Sequence, residues 1–147
     1  MSSTTATARS GEFAQAEVCN QRVARMTQWS LTDQVSETAW GDSDNGAFTV
    51  RRRARRDASG DIQGKYDEVT PPTRYFIAGD CCTLVLWEDI NDSRGYWYFN
   101  EVLIKSYSVT FNQDSKEVVG WTATWASSGE YFEPYNPNAP TAAPPTV

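Results

Sequence analysis

Cys81-Cys82-Thr83-Leu84-Val85-Leu86-Trp87, followed across Asn91-Asp92-Ser93-Arg94-Gly95 by Tyr96-Trp97-Tyr98-Phe99-Asn100-Glu101-Val102-Leu103-Ile104, decides the fold. The first run is the most apolar stretch of the chain. Successive strand side chains point to opposite faces, so Leu84 and Leu86 look one way and Val85 and Trp87 the other. Both faces of this strand must therefore be covered. The segment after it is a turn. In the second run the alternation sets Trp97, Phe99 and Leu103 against Tyr98, Val102 and Ile104.

The same period of two continues outward in both directions, broken by turn signals at the spacing of an all-β sandwich or barrel. Downstream, Tyr107, Val109 and Phe111 alternate, Asn112 to Lys116 form a polar hairpin tip, and Val119, Trp121, Ala123 and Trp125 close the series at Ser127-Ser128-Gly129. Upstream, Ala78-Gly79-Asp80 turns the chain and Pro71-Pro72 opens a loop. Val23, Thr27, Trp29 and Leu31 make a first strand. A polar turn at Asp42-Ser43-Asp44-Asn45-Gly46 leads through Phe48 and Val50 into Arg51, Arg52, Arg53, Arg55 and Arg56. Asp57-Ala58-Ser59-Gly60 reads as a hairpin connection into Ile62, Gly64 and Tyr66. Leu31 to Trp40 fits either a short helix capped by Thr32, with Val35 and Ala39 on one face, or a strand in which Val35, Glu37 and Ala39 alternate.

The expectation is an all-β, antiparallel β-sandwich or barrel of about eight strands, with room for one short helix and extended N- and C-terminal arms. Residues 1–20 are small and polar and read as an N-terminal arm; residues 21–133 form the β-sandwich domain. Residues 134–147 form a Pro-rich C-terminal arm, because Pro134, Pro137, Pro140, Pro144 and Pro145 bar a central strand or a helix.

The whole chain bounds what it can do. Its 147 residues make one ordinary domain. Six Trp, seven Tyr and six Phe supply a large core. No apolar run reaches membrane-spanning length, and Met1 to Asn20 lack the apolar stretch of a signal peptide. The expected place of synthesis and folding is the cytoplasm. Adjacent Cys81 and Cys82 point apart, and with Cys19 they form an odd set, so all three read as reduced packing residues. The chain has no histidine, which removes the Ser-His and Cys-His pairs and imidazole metal ligands.

Net charge is −6, unevenly placed. The five arginines and Lys65 form one basic stretch, while from Asp67 onward acids far outnumber Arg74, Arg94, Lys105 and Lys116. An acidic body with one basic strip argues against general nucleic-acid binding and suits a protein that meets an acidic surface along that strip. Arginine pairs with carboxylates in bidentate fashion, and another copy of this chain offers carboxylates in surplus. Arg51, Arg52, Arg53, Arg55 and Arg56 are therefore the subunit-interface candidates, against the plainer reading of a solvated edge strand kept unpaired by charge.

Other motifs resolve into ordinary features. Asp42 to Gly46 opens like a calcium loop, but the sixth and twelfth positions hold Ala47 and Arg53 instead of Gly and an acid. Asp67-Glu68 and Glu88-Asp89 sit at strand ends, where solvated acids are routine. Asn91-Asp92-Ser93 matches a glycosylation sequon without a secretory context. Trp87, Trp97, Trp121 and Trp125 could stack sugars, but their alternation with Leu, Val and Ala is that of a core. No catalytic residues, metal ligands or cofactor site can be assembled, so no enzyme is expected and no cofactor.

Taken in order, the segments resemble the phage tail-tube group. An early aromatic strand, Met26-Thr27-Gln28-Trp29-Ser30-Leu31, is followed by Gly46-Ala47-Phe48-Thr49-Val50. A Ser-Gly-Asp-Ile-x-Gly-x-Tyr-Asp stretch runs from Ser59 to Asp67. A Gly79-Asp80 lead enters the apolar strand through Trp87, and a final pair of strands covers Tyr98 to Val109 and Gly120 to Gly129. The likeness spans Val23 to Glu133. It implies a virion structural protein, a tail tube subunit self-assembling into stacked rings around a DNA channel, assembled in the host cytoplasm. Its partners would be copies of itself and other virion proteins, with DNA only as passing cargo and no membrane. The arms would order on neighbouring subunits. The arginine strip and the Pro-rich tail lie outside the pattern and suit a capsid decoration or neck protein equally. A carbohydrate-binding β-sandwich module is the alternative from another class.

Overall fold

In a computed structural model the chain is described over residues 8–41, 46 and 48–143, the side chains of residues 38 and 50–54 excepted. The Asp42–Asn45 part of the expected turn, Ala47 and the last two prolines lie outside the described residues. The strands are β1 (Gln15–Val18), β2 (Gln21–Arg22), β3 (Met26–Trp40), β4 (Val50–Lys65), β5 (Cys81–Trp87), β6 (Tyr96–Val109), β7 (Gly120–Ser127) and β8 (Tyr131–Phe132). They form one antiparallel sheet in the order β2-β1-β5-β6-β7-β4-β3, with β8 added on β6. A single 3₁₀ turn at Pro72–Arg74 interrupts the link from β4 to β5.

The sheet folds over at β6. Residues from Tyr96 to Leu103 pair with β5, whereas Val102 to Val109 pair with β7. One strand thus belongs to two layers, and these face each other across a common core while the sheet stays unclosed. Phe99 of one layer meets Trp125 of the other with ring centroids 4.8 Å apart. At the open seam the Trp29 indole N–H of β3 donates to the Trp87 carbonyl of β5 at 3.1 Å. Ala16, Val18, Ile62, Leu84, Leu86, Phe99, Ile104, Trp121 and Trp125 are all buried in this core. Rings of this size each remove roughly 150–250 Å² from water, so they dominate the burial that holds the layers together.

Two local devices make that packing possible. The register slips between Cys82 and Leu84 and again between Ile104 and Ser106. A bulge reverses the alternation that follows it. Phe99, Val102 and Ile104 all reach the core, and Leu103, expected beside Phe99, is exposed instead. The second device is glycine. A Cβ on Gly60 would lie 2.0 Å from the Ser30 carbonyl oxygen and 3.0 Å from the Trp125 ring. One on Gly64 would lie 2.7 Å from both the Arg25 carbonyl oxygen and the Trp121 ring. The missing side chains are where the two tryptophan rings rest.

The structure corrects or decides four of the expectations. Asp57 to Gly60 lie inside β4 and make no turn, because Gly60 serves the close approach just described. Leu31 to Trp40 are strand, paired residue by residue with β4, and not helix. Gln15–Val18, within the segment read as an arm, pair with β5 and bury Ala16 and Val18 completely. Past Pro134 the chain folds back on its own body. The Tyr96 hydroxyl donates to the Pro140 carbonyl at 2.7 Å and accepts from the Ala142 amide at 3.3 Å. Ala142 packs there on the outward cluster of Val85, Trp87 and Tyr96, covering the second face that the apolar β5 required.

Candidate subunit interface

The arginine strip stands on the most distinctive element of the molecule. β3 and β4 pair along their whole lengths, from Met26 opposite Gly64 to Trp40 opposite Val50. β4 pairs with β7 only from Ser59 to Lys65. Among the described residues the hairpin therefore continues beyond Ala58 as a two-stranded ribbon in which each strand pairs only with the other. A strand of 16 residues spans about 50 Å, and more than half of it lies beyond the part paired with β7. Asp33, Gln34, Val35, Ser36, Glu37, Ala39 and Trp40 are all exposed, and Phe48 near the far end is 81% exposed. A two-stranded ribbon is marginal in water by itself, and β3 is also an edge strand with backbone groups open to a further chain.

Arg51, Arg52 and Arg53 occupy ribbon positions opposite Ala39, Thr38 and Glu37, and their side chains lie outside the described residues. The register slips between Ser36 and Glu37, so Arg55 faces Ser36 and Arg53 faces Glu37. Arg55 is exposed on the side shared with Gln34, Ser36 and Asp57, which line a shallow cleft with it.

Arg56 turns to the other side and is engaged by its own chain. Its guanidinium donates to both carboxylate oxygens of Asp33, at 3.1 and 2.9 Å, and to Glu133 at 3.5 Å. It also lies 4.6 Å over the Tyr131 ring, whose hydroxyl donates to Asp33. The bidentate fork holds the Asp33 carboxyl below the usual carboxylate range, with the Tyr131 hydroxyl adding to the effect. The same carboxylate raises the Arg56 guanidinium. Burial, then the bond to Asp33, pushes the Tyr131 phenol up. The clamp fixes the root of the ribbon to β8 and to the segment after it. Of the five interface candidates, the structure thus places Arg55 on the surface and Arg56 within an internal clamp.

A second polar cluster ties the two ends of the chain together. Arg9 donates to Asp92 at 3.1 Å and to the Tyr135 hydroxyl at 3.3 Å, and sits 3.6 Å from Glu88. The Tyr135 hydroxyl donates to Asp92 as well, lowering that carboxyl together with the Arg94 amide. Gly95 leaves room for this junction, since a Cβ there would lie 2.9 Å from Asp92 and 3.1 Å from Arg9. Neither Asp33, Tyr131 and Glu133 nor Arg9, Asp92 and Tyr135 stood out in the sequence, where each set is scattered over separate segments.

The tryptophan platform does not exist as a surface, since Trp87, Trp121 and Trp125 are buried. The Cys82 thiol, buried beside Cys19, is pushed up to about 12 by desolvation, and all three cysteines are free. Among the described residues no helix is long and apolar enough to cross a membrane, and no group of three His, Cys, Asp or Glu is arranged to hold a metal ion.

No protein-family model matches the chain, and no curated protein matches it by sequence. Solved structures do match it in fold. A chain of the tail of an empty gene transfer agent (GTA) particle, determined by helical refinement with C6 symmetry, superposes with a TM-score of 0.59 at 15% identity, covering 86% of this chain and 98% of that one. A chain of the anti-feeding prophage cap, which terminates that particle's tube, gives 0.62 at 10% identity, covering 86% and 91%. A chain of the sheath/tube terminator of the PVC extracellular contractile injection system gives 0.61 at 8% identity, covering 88% and 98%. The chain therefore has the fold found in the tail and tube-terminator chains of these phage-like particles.

Proposed function

We propose that this chain is a virion tail structural protein, a tail tube subunit that assembles with copies of itself into stacked rings around a channel for DNA. One observation carries this reading beyond the shared fold. The β3–β4 ribbon leaves the sheet with an exposed Phe48 and a cluster of arginines, and beyond Ala58 no third strand pairs with it among the described residues. Heterologous contacts of this kind close into rings or propagate along an axis. A chain carrying 19 acids offers carboxylates to the ribbon arginines of a neighbour. The role is structural rather than catalytic, it belongs to the particle, and the other partners are virion proteins.

The likeness to tube-terminating chains supports a second reading, a neck or terminator protein that forms a single ring at the tube end. Size-exclusion chromatography with light scattering tests both. Wild type elutes as large assemblies that shrink as ionic strength rises, because the ribbon contacts are screened. Reversing Arg51, Arg52, Arg53 and Arg55 to Glu leaves a folded monomer. A single discrete ring size at every concentration selects the terminator, and a monomer insensitive to these changes overturns assembly through the ribbon.

A further inference from the structure

Two nucleophilic side chains meet at the edge of the sheet and have no part in the proposed assembly. The β1–β2 hairpin turns on Cys19 and Asn20, because Val18 pairs with Gln21. Both turn residues take positive φ, 51° and 65°, the conformation of a type I′ turn. Asn, Asp and Gly fill such positions readily, whereas most other side chains crowd the backbone there. Asn20 follows that preference and Cys19 does not.

The turn is docked on β5, where the Cys19 amide donates to the Thr83 carbonyl at 2.9 Å. This sets the exposed Cys19 against Cys82, which belongs to the core and is only 8% exposed. The Cys82 S–H donates to the Cys19 sulfur, so the two thiols are in contact. Cys81 looks to the opposite face of the strand, is exposed, and donates to Glu101 instead. The fold thus selects one pair out of three cysteines, from positions separated by the whole β3–β4 hairpin.

We propose that Cys19 and Cys82 form an oxidation site, a dithiol that closes to a disulfide by exchange with a small-molecule disulfide such as oxidised glutathione. The Cys19 thiolate, open to solvent, attacks one sulfur of glutathione disulfide, breaks its S–S bond and releases one glutathione thiolate. Cys82 then gives up its proton and attacks the Cys19 sulfur, displacing the second glutathione. Two protein thiols lose two electrons, one glutathione disulfide becomes two glutathione thiols, and those thiols take up the two protons. Desolvation, then the bond to Cys19, holds the proton on Cys82, so the second step is the slower one. The new bond ties the β1–β2 edge to β5 and closes a loop that contains β3 and β4, which restricts the unfolded chain. The chemistry belongs to the single chain and holds whether or not it assembles.

The test uses the full chain with Cys81→Ser, incubated with oxidised glutathione, quenched with N-ethylmaleimide in urea at intervals and weighed by mass spectrometry. A glutathione adduct at Cys19 should appear first. It should give way to a chain lighter by two hydrogens that takes no maleimide, with Cys19 and Cys82 joined in one peptide. That species should melt several degrees above the reduced chain, and a reductant should reverse the shift. Cys19→Asn suits the positive φ and keeps the hairpin; its Cys82 should stay unmodified and its melting point unmoved by oxidation. Glutathione that remains on Cys19 while Cys82 stays free overturns the proposal. In wild type, a main product linked through Cys81 overturns it too. A Cys19–Cys82 chain that melts no higher than the reduced one shows a bond forced on the fold, and overturns the assignment as a native site.

Discussion

The Arg56 guanidinium joins β4 to Asp33 on β3 and to Tyr131 and Glu133 near the end of the domain. Arg56 and its two carboxylate partners are each about one-third exposed or more, so the ion pairs are worth on the order of 1 kcal/mol, with the cation–π contact contributing a similar share. Asp33 has a carboxyl lowered in the folded state. Its contribution is therefore full above the ordinary aspartate range near 3.9 and is lost as pH falls through the lower folded value. Urea unfolding at pH 7 and near pH 2 should show Asp33→Asn destabilised at pH 7 and converging on wild type in acid. A constant gap at both pH values would mean that the charge on Asp33 is irrelevant. Gly64→Ala belongs to the same scale. Its added methyl meets a backbone oxygen and the Trp121 ring, and about 1–3 kcal/mol of stability should be lost in thermal unfolding. Arg56 was visible in the sequence as one of five arginines, but its commitment inside the chain was not. Asp33 and Glu133 lie 23 and 77 residues away and carry no local signal.

Among the elements, the apolar β5 and the alternating β6 and β7 were legible because each buries one face or both over a continuous run. The bulges were not, and so the face of Leu103 was misassigned: one slipped residue moves everything after it to the other side. The turn expected at Asp57 to Gly60 failed for a related reason. Gly and Asp signal turns when nothing else explains them, whereas here Gly60 makes room for Trp125 inside a long strand. The ribbon has no third strand beyond Ala58 among the described residues, so it should open more readily than the paired body. Hydrogen exchange should find residues 33–37 and 55–57 exchanging far faster than 59–65 in free subunits, and protected after assembly. Equal protection in both states would deny the ribbon a partner. The C-terminal strap makes a separate case. Tyr96→Phe removes its anchor to Pro140 and should cost about 1 kcal/mol while opening residues 136–143 to proteolysis. A strap that stays resistant would show that Ala142 packing alone retains it.

For the whole molecule, the period-two alternation and turn spacing pointed to an all-β body, the charge distribution to a basic strip on an acidic chain, and the motif order to the tail-tube group. What one sequence does not display is how the sheet folds over at β6, or that the strip rides on a projecting hairpin. Both follow from pairings between strands far apart in the chain. The resulting shape is asymmetric: a compact two-layered body, a ribbon on one side and one outer face strapped. A projecting ribbon and an acidic body at different places on one molecule would suit the proposed ring or stack better than a two-fold dimer. Negative-stain electron microscopy of the purified wild-type chain, taken from the leading peak of a size-exclusion column, tests this most directly. The account predicts rings with an open centre that stack into tubes at low salt and disperse at high salt. A monodisperse monomer at high protein concentration and low salt would contradict it.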